Sequence, residues 1–256
     1  MPLDFAQIVL LFMAALVAGM LNAVAGGGSF ISFPALLFTG MPAILANATN
    51  AAALWPGAAA SVGAYREELK SQRHELKLFS GLSLLGGLLG ALLLLRIRES
   101  VFEQLIPYLM LLATVVFIAS PMITRLARKK HNDQTQVGPL RRAGLMVIYL
   151  AVAIYGGFFG AGLGILTLAV LALLGGENIH EMNALKTLQA ALINGVAVFT
   201  FIIAGIIQWP QMFVMTIGAI IGGYSGAAVA RRMPTRVVRG IVIVISVVLT
   251  VYFFVR

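Results

Sequence analysis

The chain has 256 residues, of which 60% are hydrophobic, 11% are charged and none is cysteine, and its mean hydropathy is +0.97. This composition excludes an ordinary soluble domain and predicts a protein that crosses the bilayer several times, because uncharged stretches of about twenty residues are typical of membrane spans. The lack of cysteine excludes disulfides and thiolate metal sites. The formal net charge of +9 does not indicate nucleic-acid binding, because the basic residues lie in short stretches between apolar segments and follow the positive-inside rule.

Five apolar segments make up the first half of the chain. They lie at roughly 5–25, 29–39, 46–65, 78–95 and 101–123. The first begins without the basic stretch of a cleaved signal peptide and is therefore interpreted as a retained span. The second is short, since its eleven residues would cover about 16 Å as a helix, half of a hydrocarbon core of about 30 Å. It is predicted to be a half-helix or a re-entrant segment.

A run of small residues, AGGGS at 25–29, interrupts the first charge-free stretch. Glycine is about 1 kcal/mol less favourable than alanine inside a helix, and a break at membrane depth survives only inside protein or beside a watery cavity. Gly26, Gly27, Gly28 and Ser29 would then expose backbone N–H groups at the positive end of the following helix, which favours an anion. The alternative is that these glycines only allow close helix packing.

The second half repeats the first at a constant offset of 136 residues. The offset pairs Asn47 with Asn183, and it aligns the first glycine break with a second one from Gly160 to Gly164. The segments of this half lie at roughly 143–161, 165–175, 183–204, 212–230 and 237–255. The chain is therefore predicted to contain a first transmembrane repeat at 1–123, a basic cytoplasmic linker at 124–142 and a second transmembrane repeat at 143–256.

Two stripes of small residues occupy equivalent positions in the repeats. They are GGLLGA at 86–91 and GGYSGA at 222–227. Their spacing of small residues is typical of packed membrane helices. We expect both stripes to lie inside unbroken helices.

The charge distribution predicts that the two repeats are inverted. The linker carries six basic residues and the loop at 231–239 carries four, so both are placed in the cytoplasm. The loop at 66–77 also carries four basic residues, whereas its counterpart AGIIQWPQ carries none. Equivalent loops on opposite sides fit inverted repeats with an odd number of segments each. The predicted fold class is an all-α polytopic membrane protein with two inverted repeats of about five segments, each including one short half-helix or re-entrant segment, and with both termini outside the cytoplasm.

Polar side chains in the apolar segments complete the predicted binding site. Asn, Thr and Gln in a span seek a partner, either on a neighbouring helix or on a substrate. With the first glycine break, the substrate-binding set comprises Asn22, Asn47, Thr49, Asn50 and Trp55 in the first repeat, and Gly162, Gly164, Asn183, Lys186, Thr187, Gln189 and Asn194 in the second.

Alternatives exist for the most distinctive of these residues. Asn47 and Asn183 fit equally as helix caps, and Asn22 and Asn194 as amides bonded across helices. Lys186 lies three residues into an apolar segment, where its ammonium would complement a bound anion. The alternative is that it extends along the helix to the cytoplasmic headgroups.

Residue types that the segments lack exclude other functions. The predicted spans hold essentially no Asp or Glu, which disfavours a cation substrate. His74, His131 and His180 fall in predicted loops, so a membrane-embedded enzyme is not indicated. The sequence contains no metal motif, cofactor motif or phosphate-binding loop, and ATP is not the expected energy source.

The motifs around the two breaks resemble a known transporter family. GMLNAVAGGGSFISFPALLFTG followed by ANATNAAAL, repeated as FFGAGLGILTLAVLALLGG with MNALKTLQAAL, resembles the TauE/SafE family of sulfite and sulfonate exporters, grouped with the toluenesulfonate uptake permeases. The resemblance covers nearly the whole chain. It implies a multi-pass secondary transporter of small sulfur-containing oxyanions, such as sulfite or organosulfonates, in the bacterial inner membrane.

The second break departs from the family pattern. Leu163, Ile165 and Val170 occupy the places of Gly27, Ser29 and Pro34. Less backbone is then expected to reach the ligand there. Lys186, which aligns with Asn50, is expected to compensate with its charge.

The leading interpretation is an exporter with alternating access around a midplane site formed by the two breaks. The alternative is an anion channel or an importer of another small organic anion. The expected partners are a small anionic substrate and the lipid bilayer, and a homo-oligomer is left open. No resident cofactor is predicted.

Overall fold

The computed structural model describes residues 3–24, 27–66, 69, 73–129, 138–174, 179–230 and 235–255. Within these residues the chain forms ten helices of at least ten residues, and no strand. In chain order they are α1 (Phe5–Val24), α2 (Ser29–Phe38), α3 (Ala43–Ala64), α4 (Arg73–Arg96), α5 (Glu99–Lys129), α6 (Pro139–Phe158), α7 (Leu163–Leu173), α8 (Ile179–Ile203), α9 (Trp209–Ala230) and α10 (Thr235–Val255). The predicted all-helical fold class is confirmed.

Each predicted apolar segment corresponds to one helix. The two short segments are the helices α2 and α7, of 10 and 11 residues, so each covers only about 15–16 Å. Among the described residues, five other helices contain stretches long and apolar enough to cross a membrane. The largest differences lie at charged ends: α4 begins at Arg73 instead of 78, and α5 continues to Lys129 instead of 123. Bounds taken from apolar runs omit helical turns that carry charge.

The helices form two compact units, and each unit takes helices from both halves of the chain. The first unit comprises Met1–Gly57, Leu94–Val115 and Phe201–Arg256. The second unit comprises Ala58–Leu93 and Val116–Thr200. The first glycine break therefore lies in the first unit and the second break in the second unit.

Helices α1 and α9 cross at glycines in the first unit. A Cβ atom on Gly222 would collide with the backbone oxygen of Leu16, and one on Gly19 would collide with that of Ala219. Only glycine lets two helix backbones approach this closely. Gly222, in the stripe at 222–227, therefore has the packing role that was predicted for this stripe.

Helices α4 and α6 cross in the same way in the second unit. A Cβ atom on Gly90 would collide with the backbone oxygen of Ile154, and one on Gly157 would collide with that of Gly87. The packing role predicted for the stripe at 86–91 is thus confirmed. In the repeat alignment α4 and α6 correspond to α9 and α1, so both units use the same pair of helices with the two halves exchanged.

We expect Gly222→Ala to lower the free energy of unfolding by about 1–3 kcal/mol, the usual effect of overpacking a close contact. Gly240→Ala is the matched control, because a Cβ atom there meets nothing within 4 Å. Thermal unfolding of the purified proteins in detergent measures both. Equal melting temperatures would contradict the close crossing of α1 and α9.

Two threonines that the repeat alignment pairs contact each other in the first unit. The Oγ1 atoms of Thr114 in α5 and Thr250 in α10 lie 3.1 Å apart, and both residues are buried. Their separation along the chain equals the repeat offset of 136. Equivalent residues of repeats related by a two-fold axis meet only close to that axis, so this contact favours the repeat. The inverted orientation stays a prediction.

Candidate functional site

The first break separates α1 from α2. Helix α1 ends at Val24 and α2 begins at Ser29. Gly27 between them has a φ of 88°, in the left-handed region that glycine adopts without strain. Ala25 and Gly26 lie outside the described residues. The helix interruption predicted from the glycines is confirmed.

Gly28 joins the first break to helix α1 by a hydrogen bond. Its backbone N–H donates a hydrogen bond to Oδ1 of Asn22 at 2.8 Å. A Cβ atom on Gly28 would lie 2.8 Å from Cγ of Asn22 and would collide with the backbone oxygen of Ala18. Asn22 thus has a partner within the chain, and the close approach of the two backbones requires glycine. Ser29 follows half-buried at the first position of α2.

Three polar residues of α3 lie in the interior of the first unit. Asn47, Thr49 and Asn50 are all buried. Oγ1 of Thr49 accepts a hydrogen bond from the backbone N–H of Gln208 at 3.1 Å. Oδ1 of Asn50 has no partner among the described residues, which is unusual for a buried polar atom. Asn50 therefore stays in the candidate site, with the half-buried Trp55 further along the same helix.

The alternative role of Asn47 and Asn183 as helix caps is wrong. Helices α3 and α8 each begin four residues earlier, so both asparagines lie a full turn inside a helix. The start of α3 is instead capped by Glu99 of α5, whose carboxylate accepts hydrogen bonds from the backbone N–H groups of Ala43 and Ile44. A negative charge at this position also complements the positive end of the α3 dipole.

We expect Glu99→Ala to lower the free energy of unfolding by about 1–2 kcal/mol, the usual effect of losing a helix cap. Glu99→Gln keeps an acceptor oxygen and is expected to lose less. Glu103→Ala, at an exposed position of the same helix, is the matched control. Thermal unfolding in detergent compares the three, and a Glu99→Ala protein as stable as Glu103→Ala would contradict the cap.

The second break separates α6 from α7. Four residues, 159–162, lie between the two helices. Gly160 and Gly162 have φ values of 80° and 74°, so the chain reverses its local handedness twice. The hydroxyl of Tyr155 donates a hydrogen bond to the backbone oxygen of Ala161 at 2.7 Å. This bond holds the break against the last turn of α6.

In the structure the two breaks correspond at an offset that differs from that of the gapless sequence alignment. The residue before the first turn is Gly28 for α2 and Gly162 for α7, so these positions are separated by 134 residues instead of the 136 of the gapless alignment. Gly164, which the alignment pairs with Gly28, lies inside the first turn of α7. The reason is that α6 ends two residues before the aligned end of α1.

Lys186 lies against the first turn of α7. A Cβ atom on Gly164 would lie 3.6 Å from Cδ and 3.9 Å from Cγ of Lys186, which is ordinary van der Waals contact. The ammonium donates a hydrogen bond to Oδ1 of Asn183 at 3.1 Å, and the residue is half-buried. The lysine stem therefore runs beside the start of the half-helix.

Lys186 belongs to a polar face of α8. Asn183, Thr187 and Asn194 share this face, because their helical positions fall within about 100° of one another. The Thr187 hydroxyl donates to the backbone oxygen of Asn183 at 2.8 Å. Oδ1 of Asn194 lies 3.3 Å from the position of a Cβ atom on Gly160, while its amide nitrogen donates to the backbone of α8 itself instead of another helix. The polar face thus reaches the second break at both Gly160 and Gly164.

Gln189, three residues after Lys186, lies at the border of this face, and its amide oxygen turns into the interior of the second unit. Its Oε1 lies 2.6 Å from Oγ of Ser83 in α4, and that hydroxyl lies 2.6 Å from the hydroxyl of Tyr149 in α6. The sequence did not predict Ser83, Tyr149 or Tyr155, because a single hydroxyl in an apolar segment gives no signal of its partner. Glu99 was missed because a charge next to a span is ordinarily assigned to a loop.

Comparisons with known proteins match nearly the whole chain. Residues 11–253 match the sequence model of the family described as "Sulfite exporter TauE/SafE". A "Probable membrane transporter protein" of Haemophilus influenzae is 29% identical over 98% of this chain and 95% of its own length. The "Probable membrane transporter protein YfcA" of Escherichia coli K12 is 28% identical over 94% of this chain and 87% of its own. The "Probable membrane transporter protein ORF9" of a Sinorhizobium species is 23% identical over 97% and 93%. No solved structure gave a significant match.

Proposed function

Because the chain belongs to the sulfite exporter TauE/SafE family of membrane transporters, we propose that it is a secondary transporter, working as an exporter, of small sulfur-containing oxyanions such as sulfite or organosulfonates. The proposed location is the bacterial inner membrane, and the proposed mode is alternating access. The glycine breaks are the proposed substrate-binding elements.

The observation that carries the proposal is the position of Lys186 beside the N-terminus of α7. The start of a helix bears partial positive charge. At α7 the backbone N–H groups of Leu163 and Ile165 already donate to the oxygens of Gly160 and Gly162, so the attraction for an anion there comes from the dipole. An ammonium group placed next to it is repelled. An anion bound between the ammonium group and the start of the helix would interact favourably with both, as anions at helix N-termini commonly do.

The surrounding side chains suit a small oxyanion. Gly162 and Gly164 carry no side chain that would fill the space at the start of α7. Asn183 holds the ammonium of Lys186 by its amide oxygen, which leaves two of the three ammonium hydrogens for a ligand. Asn194 lies at the other side of the break with its amide oxygen toward Gly160, and its amide nitrogen donates to the backbone of α8, so it is not counted among the donors. A small negatively charged ligand with several acceptor oxygens fits the ammonium of Lys186 and the start of α7.

Counterflow in proteoliposomes tests the function. Purified protein is reconstituted with unlabelled sulfoacetate inside, and uptake of radiolabelled sulfoacetate is followed; the sulfonate keeps its charge at any working pH and does not leak as a neutral gas. We expect saturable uptake with a transient overshoot, because an alternating-access carrier exchanges internal for external substrate. Flux that rises linearly with concentration, without overshoot, would favour the anion channel. Uptake of carboxylates but not of sulfoacetate or sulfite would contradict the proposed substrate class.

A further inference from the structure

Three buried polar side chains join α4, α6 and α8 in the second unit. Ser83, Tyr149 and Gln189 are all completely buried. Their surroundings are apolar: the ring of Phe79 packs edge-on against Tyr149 with centroids 4.9 Å apart, and Ile193 belongs to the same core. Polar groups in such an interior are ordinarily paired completely.

The direction of the hydrogen bonds follows from the atoms that meet. The hydroxyl of Ser83 donates to Oε1 of Gln189 at 2.6 Å. Ser83 uses its one hydrogen in that bond, so the hydroxyl of Tyr149, also at 2.6 Å, must donate to Ser83.

This chain of bonds leaves one group unpaired. The amide nitrogen of Gln189 is buried and has no hydrogen-bond partner among the described residues. Because Ser83 fixes the carbonyl oxygen, the amide cannot turn to bring its nitrogen to the hydroxyl. A sequence of hydrogen bonds in one direction also polarises its members, which makes the free N–H groups stronger donors.

The residue that carries the unpaired amide is a neighbour of Lys186 on α8. Gln189 follows Lys186 by one helical step of three residues, so their side chains are neighbours on the surface of α8. Helix α7 contributes a second unpaired group, the hydroxyl of Thr167, which is also completely buried. Leu163 of α7 and Leu185 of α8 share one core. Both helices that flank the anion site thus keep an unused polar group.

We propose that the Gln189 amide is a specificity donor that recognises an acceptor oxygen of the transported anion, and that Ser83 and Tyr149 are positioning residues that aim it. This inference rests on the proposed function and extends it. The Lys186 ammonium supplies charge without direction, and the amide supplies a directed neutral hydrogen bond. The substrate class that this pair selects is an anion with at least two acceptor oxygens, one for each group.

Kinetics of sulfoacetate transport in proteoliposomes test the proposal. Gln189→Met keeps the length of the side chain and removes the donor, so the KM is expected to rise roughly three- to tenfold, the effect of one neutral hydrogen bond, with the maximal rate unchanged. Ser83→Ala frees the amide to rotate and is expected to raise the KM by a smaller factor. In the double variant the KM should not exceed that of Gln189→Met, because Ser83 acts only through the amide.

Thr200→Val is the control on the same helix, since among the described residues its hydroxyl bonds to the backbone of α8 alone, and its KM should equal that of the unmodified protein. An unchanged KM in Gln189→Met, or additive effects in the double variant, would overturn the proposal while leaving the transport function intact. If Gln189→Met does not accumulate in the membrane, the KM of Ser83→Ala decides, and a value equal to that of the unmodified protein refutes the aimed amide. Absence of counterflow in the unmodified protein would instead refute the transport function itself.

Discussion

Replacement of Lys186 by alanine is expected to raise the KM for sulfoacetate by roughly 10- to 150-fold, which corresponds to the loss of one charge-assisted hydrogen bond. The physical reason is that the site loses its charged donor. The partial positive charge at the start of α7, beside Gly164, remains, and the other donors of the site are neutral. Initial uptake rates in proteoliposomes over a range of substrate concentrations give the KM and the maximal rate.

Two further variants make this result specific. Lys186→Arg keeps the charge but replaces a compact ammonium by a planar group, so it is expected to retain part of the transport. Lys77→Ala removes an exposed lysine of α4 in the same unit and is expected to transport normally. If Lys186→Ala inserted normally and kept the KM of the unmodified protein, Lys186 would have no part in anion binding.

Gly28→Ala is expected to lower the free energy of unfolding by about 1–3 kcal/mol and to abolish most of the transport. The added methyl group would meet the backbone oxygen of Ala18 and the side chain of Asn22, so α2 would have to move away from α1 and the hydrogen bond between Asn22 and Gly28 would break. Thermal unfolding and counterflow are the two measurements.

Gly164→Ala is the matched control, because the same methyl group there meets only the flexible stem of Lys186 at 3.6 Å. It is expected to leave stability unchanged or slightly raised, since alanine is the better helix former. A Gly28→Ala protein that melts like Gly164→Ala, and that transports like Gly240→Ala, where a Cβ atom meets nothing within 4 Å, would show that the contact between the first break and α1 is unimportant.

The positions of the helices could be predicted well from the sequence. The half-helices expected at 29–39 and 165–175 are Ser29–Phe38 and Leu163–Leu173, and the family resemblance carried by the glycine motifs is confirmed. These features are local: long charge-free runs form helices in a membrane, and clustered glycines interrupt them. The sequence leaves a capping role open for Asn183, because the predicted segment begins after the charged residues. In the structure the helix begins earlier, and Glu181 lies in the first turn of α8.

Contacts between distant residues could not be predicted, because they leave no local pattern. Glu99 caps a helix that begins 56 residues earlier, at Ala43. Ser83 meets Gln189 across 106 residues. The two-residue shift at the second break was not predicted either, and there the hydroxyl of Tyr155 donates to the backbone oxygen of Ala161.

A single thiol beside Lys186 tests most directly whether an anion binds at the start of α7. The chain contains no cysteine, so Gly164→Cys introduces a unique reactive group where a Cβ atom fits. We predict that a water-soluble methanethiosulfonate reagent modifies this variant in proteoliposomes and that saturating sulfoacetate slows the modification several-fold, while Gly138→Cys, at an exposed position before the start of α6, is modified at an unchanged rate. Modification of Gly164→Cys at the same rate with and without sulfoacetate, or a thiol that never reacts, would contradict anion binding at this site.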